Sequence, residues 1–102
     1  MIDKNFQEII NSSLPTLVDF YATWCGPCKM MTPILQELKG ELGENIKIIK
    51  VDVDKYPELA THFHVQGVPT LALFQNGNLL WKESGVRPAQ VLKQVINEYI
   101  KS

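Results

Sequence analysis

The chain has 102 residues, 45% of them hydrophobic, with 10 basic and 11 acidic side chains and a formal net charge of −1. That size and balance suit one domain over residues 1–102, with a core large enough to fold without disulfide staples. No block of like charge points to nucleic acid or an anionic membrane surface, and no apolar run approaches the roughly 20 residues of a membrane span.

Residues 5–12 place Phe6, Ile9 and Ile10 at helical spacing, and Leu14-Pro15 ends that helix. The stretch MIDKNFQEIINSS, which contains it, has neither a basic start nor the apolar segment of a signal peptide, so the expected location is the cytoplasm. TLVDFYA, residues 16–22, is a mostly apolar run of strand length, as in a parallel sheet covered on both faces. From Cys28 to Leu42, Met31, Ile34, Leu35, Leu38 and Leu42 form the stripe of an amphipathic helix, with Pro33 expected to kink it. IKIIKVDV, residues 46–53, reads as a second strand, parallel to the first across the helical crossover. A short helix over residues 57–63 follows. TLALF (70–74) and LLWKES (79–84) then flank Asn76-Gly77, a strong two-residue hairpin signal. Pro88 opens a last helix whose apolar face carries Val91, Leu92, Val95, Ile96, Tyr99 and Ile100. This order implies an α/β sandwich, a four-stranded mixed sheet with helices on both sides.

Both cysteines of the chain lie in WCGPCK, as Cys25 and Cys28. A structural bridge, half of a metal site and a pair that cycles between thiol and disulfide are the three readings. In the chain-entropy model, closing so short a loop contributes only about 2 kcal/mol, a poor use of a staple. Zinc needs three or four ligands, and the only histidines, His62 and His64, have an H-x-H spacing unlike that of common zinc sites. They read as surface or boundary histidines, and no metal is expected. The redox reading explains the position as well as the pair. CGPC falls where a strand gives way to a helix, so Cys25 faces unpaired N–H groups and the positive end of the helix dipole, which favour thiolate. Pro27 suits the first turn of that helix, having no N–H to leave unsatisfied. Cys28, one turn in, is expected to be less exposed and to resolve rather than attack.

Around these cysteines the segment VDFYATWCGPCKM (18–30) closely resembles the active-site signature of the thioredoxin family. VQGVPT (65–70), FQNGN (74–78) and SGV (84–86) resemble further segments of the same family, and the likeness runs from about Phe6 to the last helix. The resemblance implies a thioredoxin-like three-layer α/β/α sandwich. It also implies a protein-disulfide reductase and electron carrier, in which Cys25 attacks client disulfides and Cys28 resolves the mixed disulfide. Gly26 and Pro27 tune the pair: neither supplies a cation that would hold the Cys25 thiolate, so the pair leans toward a reductant.

Asp19 is a carboxylate amid Leu17, Val18, Phe20 and Tyr21. Read alone, it is a strand-end acid reaching water or a partner, whose pKa burial would raise. The resemblance gives it a role, accepting the proton of Cys28, and puts Lys50 beside it, either as a tuning cation or as a solvated strand lysine. The Val68-Pro69 bond reads as trans on sequence alone, whereas the resemblance makes it cis and packed against the disulfide. Trp24, Gly26, Pro27, Gly67, Val68, Pro69, Gly85 and Val86 would then form the client surface, with the Val68 backbone open to strand addition. Trp81 reads as a packing residue. Tyr21 departs from the family, standing where many bacterial members have a tryptophan. The N-terminal edge strand of many members is expected to be missing, because only residues 1–4 precede the first helix. Residues 46–53 would then form an open edge, with weak self-association there at high concentration and mainly a monomer otherwise.

The expected partners are thioredoxin reductase and disulfide-containing client proteins, with no nucleic acid and no membrane. No cofactor is expected in the chain beyond the redox-active disulfide, since there is no dinucleotide fingerprint, and NADPH would be used indirectly through the reductase. The rivals are a disulfide isomerase or oxidase, and a binding module serving as a subunit of a larger assembly.

Overall fold

The computed structural model describes residues 3–100. The first helix, α1 (Lys4–Ile10), begins where the Asp3 carboxylate accepts a hydrogen bond from Phe6 N at 3.1 Å, and it buries Phe6 and Ile10. The first strand, β1 (Thr16–Tyr21), is buried along all but its last residue. After it come α2 (Gly26–Leu42), a single 3-10 turn (Gly43–Asn45) and β2 (Lys47–Asp52). The long helical crossover lets β2 lie parallel to β1, with Thr16 opposite Lys47 and Asp19 opposite Lys50. α3 (Pro57–His62) precedes the hairpin of β3 (Thr70–Gln75) and β4 (Asn78–Ser84), and α4 (Ala89–Tyr99) closes the chain.

The sheet order is β2-β1-β3-β4, with β3 antiparallel to both of its neighbours. Among the described residues this is the expected four-stranded mixed sheet. Leu17, Leu71 and Leu73 face one side and pack with Met31, Leu35 and Leu38 of α2 and Leu92 and Ile96 of α4. Val18, Phe20, Ala72 and Phe74 face the other, against Phe6 and Ile10 of α1 and Leu59 of α3. Both faces of β1 and β3 are therefore covered, which is why those strands read as continuous apolar runs rather than alternating ones. The result is the three-layer α/β/α sandwich.

Three local features follow from side-chain chemistry. α2 starts at Gly26, two residues before the expected Cys28, because Cys25 itself caps the helix. The element then runs through Pro33 to Leu42. Pro33 and Lys29, whose carbonyl loses its helical donor there, are both solvent-exposed, so water can take that carbonyl. In the hairpin, Asn76 and Gly77 have φ of 53° and 80°, the left-handed pair of a type I′ turn, with Gln75 opposite Asn78.

β2 is an edge strand of the described sheet. Lys47 N donates to Pro15 O and Val53 N to Tyr21 O, both at 2.9 Å, so Ile48 and Lys50 turn their N–H groups away from β1. Asp3 and Lys4 are engaged in α1. Met1 and Ile2, the rest of the segment considered for a fifth strand, lie outside the described residues.

Candidate active site

The site is built at the C-terminal end of β1. The chain turns as Cys25 N donates to Ala22 O at 3.2 Å, and Cys25 becomes the N-cap of α2 with extended backbone, φ −87° and ψ 113°. Its Sγ accepts a hydrogen bond from Cys28 N at 3.1 Å, taking the place of the usual oxygen cap. Pro27 occupies the first turn, where no intrahelical acceptor awaits its missing N–H. Cys25 and Cys28 are joined as a disulfide, their Cα atoms 5.4 Å apart.

One expectation needs correction. In this disulfide form the cysteines do not differ in exposure: each is 4% exposed. Ala22 and the two cysteines form one buried cluster, with the partly buried Tyr21, Val53 and Val68 packed against it, and the short bridge holds the two sulfurs at one depth. What still separates them is the helix terminus: Cys25 caps it and receives an N–H, whereas Cys28 begins the buried stripe of Cys28, Met31, Leu35 and Leu38. In the reduced protein at neutral pH, iodoacetamide is therefore expected to label Cys25 about tenfold faster than Cys28 or more. Peptide mapping by mass spectrometry reads the two rates, and equal labelling would remove the assignment of attacker and resolver.

The loop before β3 approaches the disulfide from the other side. Val68 O lies 3.6 Å from Cys25 Sγ, a van der Waals approach, because the bridged sulfur carries no proton. The Val68-Pro69 bond is cis. Gly85 N donates to Pro69 O at 2.8 Å, which brings Gly85 and Val86 to the same end of the sheet as Gly67, Val68 and Pro69. Gly85 has φ 102°, a backbone conformation that side chains rarely adopt, which favours glycine there. Beside the cysteines Gly26 and Pro27 are solvent-exposed, and Trp24, the most exposed large hydrophobic side chain described, is 71% exposed. A groove of about 290 Å³ runs between Trp24, Val53, Ala60, Gly67 and Val68.

The Trp24 indole is not loose. Its Nε1 donates to Asp54 Oδ2 at 2.9 Å, and Asp54 N in turn donates to Asp52 Oδ1 at 2.9 Å. Sequence reasoning missed Asp54. Its partner is 30 residues away, and the only local hint was the acidic alternation of residues 52–54 beyond a strand end.

Asp19 is fully buried, and neither carboxylate oxygen has a hydrogen-bond partner among the described residues. Strand alternation puts it on the same face as Leu17, the face that carries α2. It lies one pleat nearer the site than Leu17, and the buried stripe of α2 runs back from Cys28 over that face, so Asp19 sits beneath the first turns of the helix. Burial raises its pKa from 3.8 to about 6, with Lys50 opposing the rise. Lys50 reaches across from the paired position on β2, but its ammonium lies over the Tyr21 ring, 4.6 Å from the centroid, rather than on the carboxylate. Tyr21 thus holds the cation near the acid without neutralising it.

His62 and His64 are both solvent-exposed, and His62 packs edge-on against Phe63 at 4.7 Å. Among the described residues no group of His, Cys, Asp or Glu is arranged to hold a metal ion, and no helix is long and apolar enough to cross a membrane. Trp81 is partly buried against the α2/α4 core.

A redox-type C-x-x-C disulfide at the N-terminus of a helix, on a four-stranded sheet covered on both faces, defines a thiol–disulfide oxidoreductase. The chain belongs to the thioredoxin family, whose profile matches residues 1–98. A thioredoxin-like protein of Synechocystis sp. is 45% identical over 97 residues, covering 94% of this chain and 92% of that one. The thioredoxin of Listeria monocytogenes is 43% identical over 98 residues, covering 96% of this chain and 94% of its own. A mutant thioredoxin of Halobacterium salinarum NRC-1 superposes with a TM-score of 0.87 at 33% identity, over 98% of this chain and 87% of that chain.

Proposed function

We propose that the chain is a protein-disulfide reductase recycled by thioredoxin reductase at the expense of NADPH. The Cys25 thiolate attacks one sulfur of a client disulfide. The S–S bond breaks, a Cys25–client mixed disulfide forms, and the other client sulfur leaves as a thiolate and takes up a proton. Cys28 then gives its proton to the Asp19 carboxylate, directly or through water. The resulting thiolate attacks Cys25 Sγ, releasing the second client thiolate and closing the Cys25–Cys28 bridge. Two electrons have passed from the dithiol to the client. Reductase action returns the protein to the dithiol.

The observation that carries this reading is the Cys25 sulfur capping α2, hydrogen-bonded by Cys28 N and 3.6 Å from the carbonyl of Val68, the backbone we assign to an extended client segment. With a pKa near 6, Asp19 is mostly ionised at neutral pH and able to accept a proton, yet close enough to give it back. Gly26 and Pro27 place no cation beside Cys25, which supports reduction over oxidation or isomerisation. A compartment that keeps thiols reduced, such as the cytoplasm, suits that direction. Trp24, Gly67, Val68, Pro69, Gly85 and Val86 form the client face, and Lys50 tunes Asp19. With insulin as client, the protein together with a thioredoxin reductase and NADPH is expected to reduce the interchain bridges in step with NADPH oxidation. Reduction of the protein by the reductase without any insulin cleavage would overturn the reading.

A further inference from the structure

We infer that Lys82, in the middle of β4, is a positioning residue for client binding: it fixes the chain corner that carries Val68 to Cys25. This rests on the reading of Val68 as client-binding backbone.

β4 pairs Lys82 with Ala72, whose side chain faces the α1/α3 side of the sheet, so Lys82 projects to that side as well. There its Nζ donates to two successive carbonyls at the end of α3, Phe63 O at 2.9 Å and His64 O at 3.3 Å. The helix ends by a left-handed reversal. His64 has φ 55°, Val65 N donates back to Ala60 O at 2.8 Å, and His64 N donates to Thr61 O at 3.1 Å. Glycine is the usual residue at such a position, because a Cβ is disfavoured there. A histidine therefore needs support from outside the helix. The reversal also presents carbonyls at the negative end of the helix dipole, where an ammonium is favoured. Lys82 meets both needs with one group.

The corner has a consequence at the site. Four residues after His64 the chain reaches Val68, whose carbonyl stands 3.6 Å from Cys25 Sγ. The far end of this segment is tied to β4 as well. Thr70 Oγ1 donates to Gly67 O and shares a hydrogen bond with Ser84 Oγ at 3.0 Å, and Gly85 N donates to Pro69 O at 2.8 Å. Lys82 and Ser84 are two residues apart on one strand face. The same edge strand therefore grips the segment before and after Val68, and Lys82 is the grip on the helical side. It touches neither the cysteines nor Asp19, so it sets the client-binding backbone without entering the sulfur chemistry.

The test uses pre-reduced protein and two oxidants, insulin and 5,5′-dithiobis(2-nitrobenzoic acid), a small disulfide that needs the Cys25 thiolate but no strand-like docking. Lys82→Met keeps the aliphatic stem and removes the donor. Its second-order rate with insulin is expected to fall about fivefold to tenfold, while that with the small disulfide stays within about twofold. Lys82→Arg, which retains a donor cation, is expected to recover most of the loss. Adding His64→Gly to Lys82→Met is also expected to recover most of it, since glycine holds the left-handed corner unaided. Unchanged insulin reduction would overturn the inference, and so would equal losses with both oxidants, the mark of general damage. Rescue by arginine but not by His64→Gly would overturn it too, because Lys82 would then be acting by its charge on the client. A wild-type protein that reacts with the small disulfide but leaves insulin intact removes the client reading itself, and this inference with it.

Discussion

Cys25→Ser is expected to lower the reduction of client disulfides on the order of a thousandfold or more, and Cys28→Ser to stall the reaction halfway. Serine keeps the shape of cysteine but loses the group that works. The attacking species is a thiolate, and a hydroxyl at the N-cap of α2 stays protonated at neutral pH despite the N–H of Cys28 pointing at it. Removing Cys28 leaves the attacker intact but removes the neighbour that closes the bridge, 5.4 Å away between Cα atoms. Cys28→Ser should therefore accumulate a covalent Cys25–client adduct, visible as a mass increase that dithiothreitol reverses. Full turnover by Cys28→Ser, or a client adduct formed by Cys25→Ser at Cys28, would break the assignment of the two roles. The double variant separates catalysis from a pure binding role, which alone would survive it.

Replacing Asp19 by asparagine is expected to change the pH dependence of both stability and turnover. The carboxyl is held at about 6 in the fold against 3.8 in its ordinary state, because burial penalises the ion more than Lys50 favours it. The sign of the effect on stability follows from linkage. Below about pH 4 the carboxyl is protonated in folded and unfolded chains alike, and no penalty exists. Between about 4 and 6 the unfolded chain ionises first, so folding stability is lost as pH rises. Above about 6 the loss is complete and amounts to about 3 kcal/mol. Asp19→Asn lacks this term, so its stability relative to wild type should rise by about that amount between pH 4 and pH 7. The cost of the buried amide is the same at every pH and offsets the curve without tilting it. Urea unfolding of the oxidised proteins across this range measures the difference, and parallel profiles would show that Asp19 is not buried as an ion. In turnover, Asp19→Asn should slow release of the mixed disulfide more than its formation, and the step near pH 6 should disappear. Unchanged release kinetics would return Asp19 to a structural role.

Much of the fold was legible because it is written in local pattern. The apolar run of β1 announces a strand covered on both faces. The stripe through Met31, Leu35 and Leu38 announces a helix on that sheet, and Asn76-Gly77 announces the hairpin. The position of Cys25 before the helix was equally plain, since a strand running into Gly26-Pro27 leaves little choice of geometry. Element ends moved by a residue or two where a side chain took over the capping, as Cys25 does for α2.

By itself, then, the sequence determined which segments are helices and strands, which faces are apolar, and that a dithiol sits at a helix terminus, because each is set by neighbours within a few residues. Only the tertiary structure decided how that dithiol is surrounded. The equal burial of Cys25 and Cys28, the approach of Val68, the Trp24–Asp54 bond, the cation of Lys50 resting on Tyr21, and the grip of Lys82 on Phe63 and His64 all depend on groups brought together from different elements. Such pairs leave no periodic trace along the chain. A lysine on a strand reads as solvated until the fold shows which carbonyls lie within reach of its ammonium, and contacts of that kind depend on where packing brings two segments together.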